Sequence, residues 1–145
     1  MARNLRLFAA GLLPLLIGVV QNRIMTAGFV RGVFLMSLVC LAAWGWLAFL
    51  LSDKYSVQVV QAFCLCTVGL LVLLLLMYQE LVLGAYWGGA AGLLPQLYFL
   101  PFLSAAFMVT NLLANGCGMW LVFAVSWLGM LAASWLGCYM KRRRG

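Results

Sequence analysis

"GAYWGGAAGLLPQLYFLP", residues 84–101, sets Gly84, Gly88, Gly89 and Gly92 ahead of Pro95 and Pro101 inside an otherwise apolar block. Without its glycines and prolines the stretch would read as a plain membrane helix. The block around it runs from Leu81 to Leu113. As one helix it would be about 50 Å long, against a hydrocarbon core of about 30 Å. Proline removes a backbone hydrogen bond and clashes with the preceding turn, so the expected break lies at Leu94-Pro95-Gln96. Two segments result, Leu81–Leu94 and Gln96–Leu113, with a single kinked and tilted helix as the alternative. Exposed backbone cannot face lipid, so neighbouring helices must cover the break or it must lie near an interface.

The rest of the chain supports a membrane reading. Its 145 residues are 68% hydrophobic and 8% charged, with a mean hydropathy of +1.14. A water-soluble domain needs far more polar surface than that. Val33–Leu51, Val57–Met77 and Cys117–Met140 are close to membrane length, and Ser52–Ser56, Tyr78-Gln79-Glu80 and Asn115-Gly116 read as connections. Leu7–Val20 is short and contains Pro14, so it is tilted, re-entrant or interfacial. Arg3 and Arg6 ahead of it imitate a signal peptide, but no small-residue cleavage site follows, and it is read as retained. The fold class is all-α: a polytopic transmembrane bundle of six segments, or four, in one domain with a short basic tail at 141–145.

Charge selects among topologies. The net charge is +7, from Arg3, Arg6, Arg23, Arg31, Lys54 and the tail Lys141-Arg142-Arg143-Arg144 against Asp53 and Glu80. Cytoplasmic flanks carry excess Lys and Arg, and both even-numbered models group most of these cations on one side. A five-span model fits worst. The expected location is a plasma (inner) membrane, multi-pass, with both termini cytoplasmic. Arg3, Arg6 and the tail are assigned to topology and to anionic lipid headgroups, and nucleic acid is not an expected partner. Tyr55, Tyr78 and Tyr139 sit at the span boundaries, whereas Trp127 is mid-span and should pack on another helix.

Gly84, Gly88 and Gly92 fall four residues apart. On a helix they make a smooth face that another backbone can approach closely, which matters because lipid gives no hydrophobic drive between helices. Gly129, Ala133 and Gly137 repeat the pattern, and Ala10 and Gly18 flank Pro14 at related spacing. These faces dock another copy or another membrane subunit, or else they pack within the chain. Around the proline break, Pro95, Gln96, Ser104, Thr110 and Asn111 form a candidate substrate pathway by analogy with broken transporter helices. Their alternative role is hydrogen bonding across helices. Gln58 and Gln61 lie near a polar turn and receive no site.

Absences narrow the chemistry. There is no His, and the two carboxylates flank one span and so sit on opposite membrane faces. Ser–His and Cys–His catalysis are excluded, and no catalytic residue is expected. Cys64 and Cys66 are two apart on a helix, a poor chelate, so neither a metal nor a cofactor is expected. The five cysteines read as small buried hydrophobes. No ionisable group lies deep in a span, which disfavours charge-coupled transport. Two functions remain. One is an interaction or accessory subunit acting through helix packing. The other is a transporter, or a membrane-embedded binding subunit, for a neutral or amphipathic solute.

Overall fold

The structure is a computed structural model that describes residues 2–27, 32–53, 56–113 and 118–143. Six helices occupy nearly all of it: α1 (Ala2–Ala10), α2 (Leu13–Thr26), α3 (Val33–Leu51), α4 (Gln58–Leu81), α5 (Gly89–Leu113) and α6 (Met119–Arg143). Five segments are long and apolar enough to cross a membrane, because Arg6–Thr26 counts as one 21-residue segment through the α1–α2 joint. Among the described residues, length and composition thus give five candidate segments, which do not fix the expected count of six or four.

Several boundaries differ from the sequence expectation, among them the end of α6, which runs past Met140 and takes in Lys141, Arg142 and Arg143 of the expected tail. The first apolar stretch does not stop at Val20; its helix absorbs Gln21, Asn22 and Arg23 and ends at Thr26. α4 likewise absorbs Tyr78-Gln79-Glu80, the predicted connection. Most consequentially, the 81–113 block breaks over residues 82–88 and not at Pro95. Both prolines lie inside the continuous helix α5. The glycines turn the chain instead, with Gly84 at φ 64° and Gly89 at φ 66°, a region closed to most side chains. Gly84 and Gly88 therefore precede the helix, and Gly84, Gly88 and Gly92 share no helical face. Asn115, Gly116, Cys117, Tyr55, Lys54, Arg31, Arg144 and the Arg3 side chain lie outside the described part.

The carbonyl that Pro101 frees is covered by a neighbouring helix. Pro101 deprives Leu97 C=O of its helical donor, and that carbonyl lies against the backbone of Gly18 on α2. A Cβ on Gly18 would overlap it. The converse holds at the α1–α2 joint. Pro14 occupies the first turn of α2, and Leu15 N–H bonds Leu12 C=O at 3.1 Å and not Gly11. Gly11 C=O receives the Tyr98 hydroxyl of α5 at 2.8 Å instead. α5 thus satisfies a carbonyl of the first segment, and the first segment covers a carbonyl of α5.

The core gathers on this crossing. Leu65, Leu76, Tyr98, Phe99, Phe102 and Met130 are fully buried. Phe102 meets Trp44 edge-on at 6.3 Å, and Phe99 packs on Phe123 at 5.7 Å. Trp127, mid-span as expected, donates Nε1 to Cys66 C=O at 3.2 Å. α3 and α6 come into backbone contact: Gly137 faces Gly45 C=O, and Gly45 faces Ala133 C=O. The Gly129–Ala133–Gly137 face is engaged by α3 of the same chain, with Gly129 against Leu41.

The two ends of the bundle are distinct. Arg6, Leu7, Leu50, Leu51, Ser52, Asp53 and Lys141 line one cavity, so the starts of α1 and α4 share an end with the finishes of α3 and α6. At the other end, Trp87 N–H donates to Gln79 Oε1 at 3.1 Å, and Gly118 abuts the Glu80 carboxylate.

Gly18→Ala and Gly137→Ala should each destabilise the detergent-solubilised protein by about 1–3 kcal/mol, because the added methyl meets backbone that cannot move aside. Gly88→Ala, whose Cβ would meet open space, should be near neutral. Thermal unfolding followed by circular dichroism checks the order, and equal losses at Gly18 and Gly88 would overturn it.

Candidate functional site

The α3–α6 seam ends in the only concentration of charge among the described residues. α6 carries Lys141, Arg142 and Arg143 in its last turn, where cations complement the helix dipole. α3 ends at Ser52, whose hydroxyl donates to Phe49 C=O at 3.2 Å. Lys141 Nζ reaches across to donate to Leu50 C=O at 2.9 Å and to Ser52 C=O. One ammonium thus satisfies two carbonyls that the end of α3 leaves without helical donors. The turn beyond is closed by Gln61, a residue given no role from sequence: its Nε2 donates to Asp53 C=O at 2.9 Å, and its Oε1 accepts Asp53 N–H at 2.6 Å. Gln61 is buried, not hydrated.

A cavity of about 390 Å³ opens here, bounded by the Arg6 and Lys141 cations and the Asp53 carboxylate. Directly along the seam lies an apolar groove of about 330 Å³, lined by Leu41, Gly45, Phe49, Ala133, Gly137 and Met140, with Ala42, Trp46 and Leu136 at its edge. Phe49 and Met140 of the groove adjoin Leu50 and Lys141 of the cavity. The same small residues that let the two backbones touch leave the outer side of the seam concave. Aromatic pairs lie on both helices. Trp46 stacks on Phe49 at 5.2 Å, Trp135 stacks on Tyr139 at 5.7 Å, and the Arg143 guanidinium lies 5.1 Å from the Tyr139 ring centre, in cation–π range.

The residues expected around the proline break are not gathered into a site. Pro95 is buried, Gln96 and Ser104 are half-buried, and Asn111 is exposed. Thr110 turns back on its own helix, donating to Ala106 C=O and Phe107 C=O at 3.0 Å. The groove beside α5, about 370 Å³ between α3, α5 and α6, is lined from α5 by Phe102, Ala105, Ala106, Met108, Val109 and Leu112 and by none of those five. Of the expected cations, Arg6 and Lys141 line the basic-end cavity, while Arg142 and Arg143 are exposed beside it.

Other polar groups inside the bundle were not anticipated. Cys66 Sγ lies 3.4 Å from Ser134 Oγ. Gln21, Ser37 and Gln79 are fully buried, and neither end of the Gln21 amide has a protein partner. Gln21 was legible: Gly11, Pro14, Gly18 and Gln21, all buried, follow a helical stripe. At the far end the Tyr86 hydroxyl donates to Glu80 Oε2. Burial, followed by that carboxylate, pushes the Tyr86 phenol well above its ordinary range.

Comparison of the chain with family models, with curated proteins and with solved structures finds no match.

Replacing Lys141 with Met should cost about 1 kcal/mol, since two charge-assisted bonds to carbonyls are lost at a partly hydrated site. Lys141→Arg should recover most of it. Thermal stability of the two variants in one detergent tests the capping role, which fails if both equal the parent.

Proposed function

We propose that this is a small polytopic integral membrane protein that acts as an interaction or accessory subunit, through its lipid-facing surface. The observation that carries the reading is where the space lies. The middle of the bundle is filled by Tyr98, Phe99, Phe102, Leu65 and Met130, whereas the apolar grooves open outward between exposed side chains. Leu35, Val39, Leu71 and Leu112 add further exposed apolar surface. In lipid such a surface associates by shape and van der Waals contact. The interface assignment moves accordingly: Gly137 and Ala133 already contact α3, and Gly84 and Gly88 sit in an exposed turn, so the outward grooves are the docking surface. Native mass spectrometry of the protein extracted in a mild detergent tests this. A defined partner or a fixed homo-oligomer is expected, and a lone 15.9 kDa chain under every extraction condition would overturn it.

The orientation follows from the bundle ends. Four segments cross the membrane: the α1–α2 segment, α3, α4 and α6. α5 enters and leaves at the Glu80 end. Its start follows Trp87, bonded to Gln79, and its finish lies within about 18 Å of chain from Gly118, which abuts Glu80. Its middle meanwhile reaches Gly11 and Gly69, and Gly69 lies about 15 Å of helix from Gln79. Both termini then share the end that carries Arg6 and Lys141–Arg143, which the excess of cations makes cytoplasmic. Cysteines introduced at Val57, Ala85 and Arg143 report on this through a membrane-impermeant maleimide in sealed vesicles. Val57→Cys and Arg143→Cys should label from one side and Ala85→Cys from the other. Labelling of Arg143→Cys together with Ala85→Cys would establish five crossings.

The dip of α5 is also the observation that favours the second reading, handling of a neutral or amphipathic solute, since re-entrant helices line pathways in some transporters. Flux across proteoliposomes that Gln96→Ala changes would support it.

A further inference from the structure

We infer that the cytoplasmic end of the α3–α6 seam is a binding site for one anionic phospholipid, with an acyl chain in the groove between Gly45 and Gly137 and its phosphate at Lys141 and Arg142. This rests on the membrane orientation above and goes beyond the subunit reading by naming the occupant.

Three observations converge on a lipid. The groove runs from Leu41 to Phe49 on α3, about 12 Å of helix, close to the depth of one leaflet of a hydrocarbon core of about 30 Å. Second, the groove ends at Phe49 and Met140, next along each helix to Leu50 and Lys141, which line the cavity that also holds Arg6. Its apolar length and its cations therefore lie in the order of an acyl chain and a phosphate. Third, Lys141 is held by Leu50 C=O and Ser52 C=O, which uses two of the three ammonium donors and fixes the charge at the mouth. Asp53 shares that cavity, so the balance of its walls is two cations to one carboxylate. Arg142 and Arg143 lie exposed beyond it, and together they favour a monoanionic headgroup. The stacked Trp46–Phe49 pair lines the groove with an amphipathic ring suited to headgroup depth.

The test is native mass spectrometry of the delipidated full chain titrated with phosphatidylglycerol or with phosphatidylcholine carrying the same acyl chains. A single phosphatidylglycerol adduct, preferred over phosphatidylcholine, is expected. Lys141→Gln with Arg142→Gln should weaken it about 30-fold, at about tenfold per 1.4 kcal/mol and about 1 kcal/mol per cation. Ala42→Phe, which blocks the groove while keeping every charge, should also remove the adduct, and Leu71→Phe on an unrelated lipid-facing position should not. Because Lys141 also supports the end of α3, Arg142→Gln alone is run as the variant that keeps the fold, with a several-fold loss expected. Equal binding of the two lipids overturns the site. So does phosphatidylglycerol binding that ignores Ala42→Phe, which would place the lipid on the basic tail alone. A dimer that survives delipidation and is lost in Ala42→Phe would make a second copy the occupant. That outcome refutes the lipid site while supporting the subunit reading, so the two are separable.

Discussion

A lipid environment offers no hydrogen bonds, so every backbone carbonyl that a proline releases must find a partner inside the bundle. The structure depends on how two carbonyls without helical donors are placed, Gly11 C=O at the α1–α2 joint and Leu97 C=O before Pro101. The Tyr98 hydroxyl holds Gly11 C=O, while Gly18 brings the α2 backbone up against Leu97 C=O. Either contact alone would tie α5 to the first segment, and together they set both its height and its rotation. Tyr98 is then placed to pack on Gly69 of α4, and the next two turns carry Phe99 against Phe123 and Phe102 against Trp44. The core of the protein is thus built outward from a pair of helix defects.

The same logic of close approach organises the second half. Between α3 and α6 there is no side chain at Gly45 or Gly137, and backbone meets backbone. In water such a seam would gain mainly from burying apolar area. In lipid it gains from dispersion contact and from weak Cα–H···O contacts, which require small residues. Removing side chains from one seam has two effects. It draws the helices together on the inner side and hollows their outer side into a groove. Where that seam reaches the basic end, Lys141 links the two helices by donating to carbonyls of α3. Structural support and the outward-facing groove therefore share residues.

Polar side chains within the bundle mostly serve the chain itself. Ser126, Ser134 and Thr110 donate to carbonyls of their own helices three or four residues back, and Gln61 closes the α3–α4 turn. Glu80 and Gln79 hold the 82–88 turn through Tyr86 and Trp87. The polar residues of α5 that suggested a pathway in sequence instead spread over four turns of helix, and a helix cannot bring such positions to one point.

Composition and hydropathy by themselves pointed to helices apolar enough to cross a membrane, because the 68% hydrophobic residues fall in runs of membrane length. Span lengths gave Val33–Leu51 to the residue, since Gly32 and Ser52 flank an uninterrupted apolar run. Cation placement pointed to an even number of crossings through a local, additive property that needs no contacts. What sequence could not decide was which of two helix-breaking residues breaks the helix. Proline is disfavoured by a lost hydrogen bond, and here the freed Leu97 carbonyl lies against Gly18 of α2, covered by protein. Glycine at positive φ turns the chain whatever surrounds it, so Gly84 and Gly89 form the turn while Pro95 and Pro101 stay helical. The small-residue stripes were equally ambiguous. Spacing shows that a face is smooth, but only the tertiary structure shows that Gly137 lies on Gly45 of the same chain and that Gly88 faces open space, because a stripe carries no record of its partner.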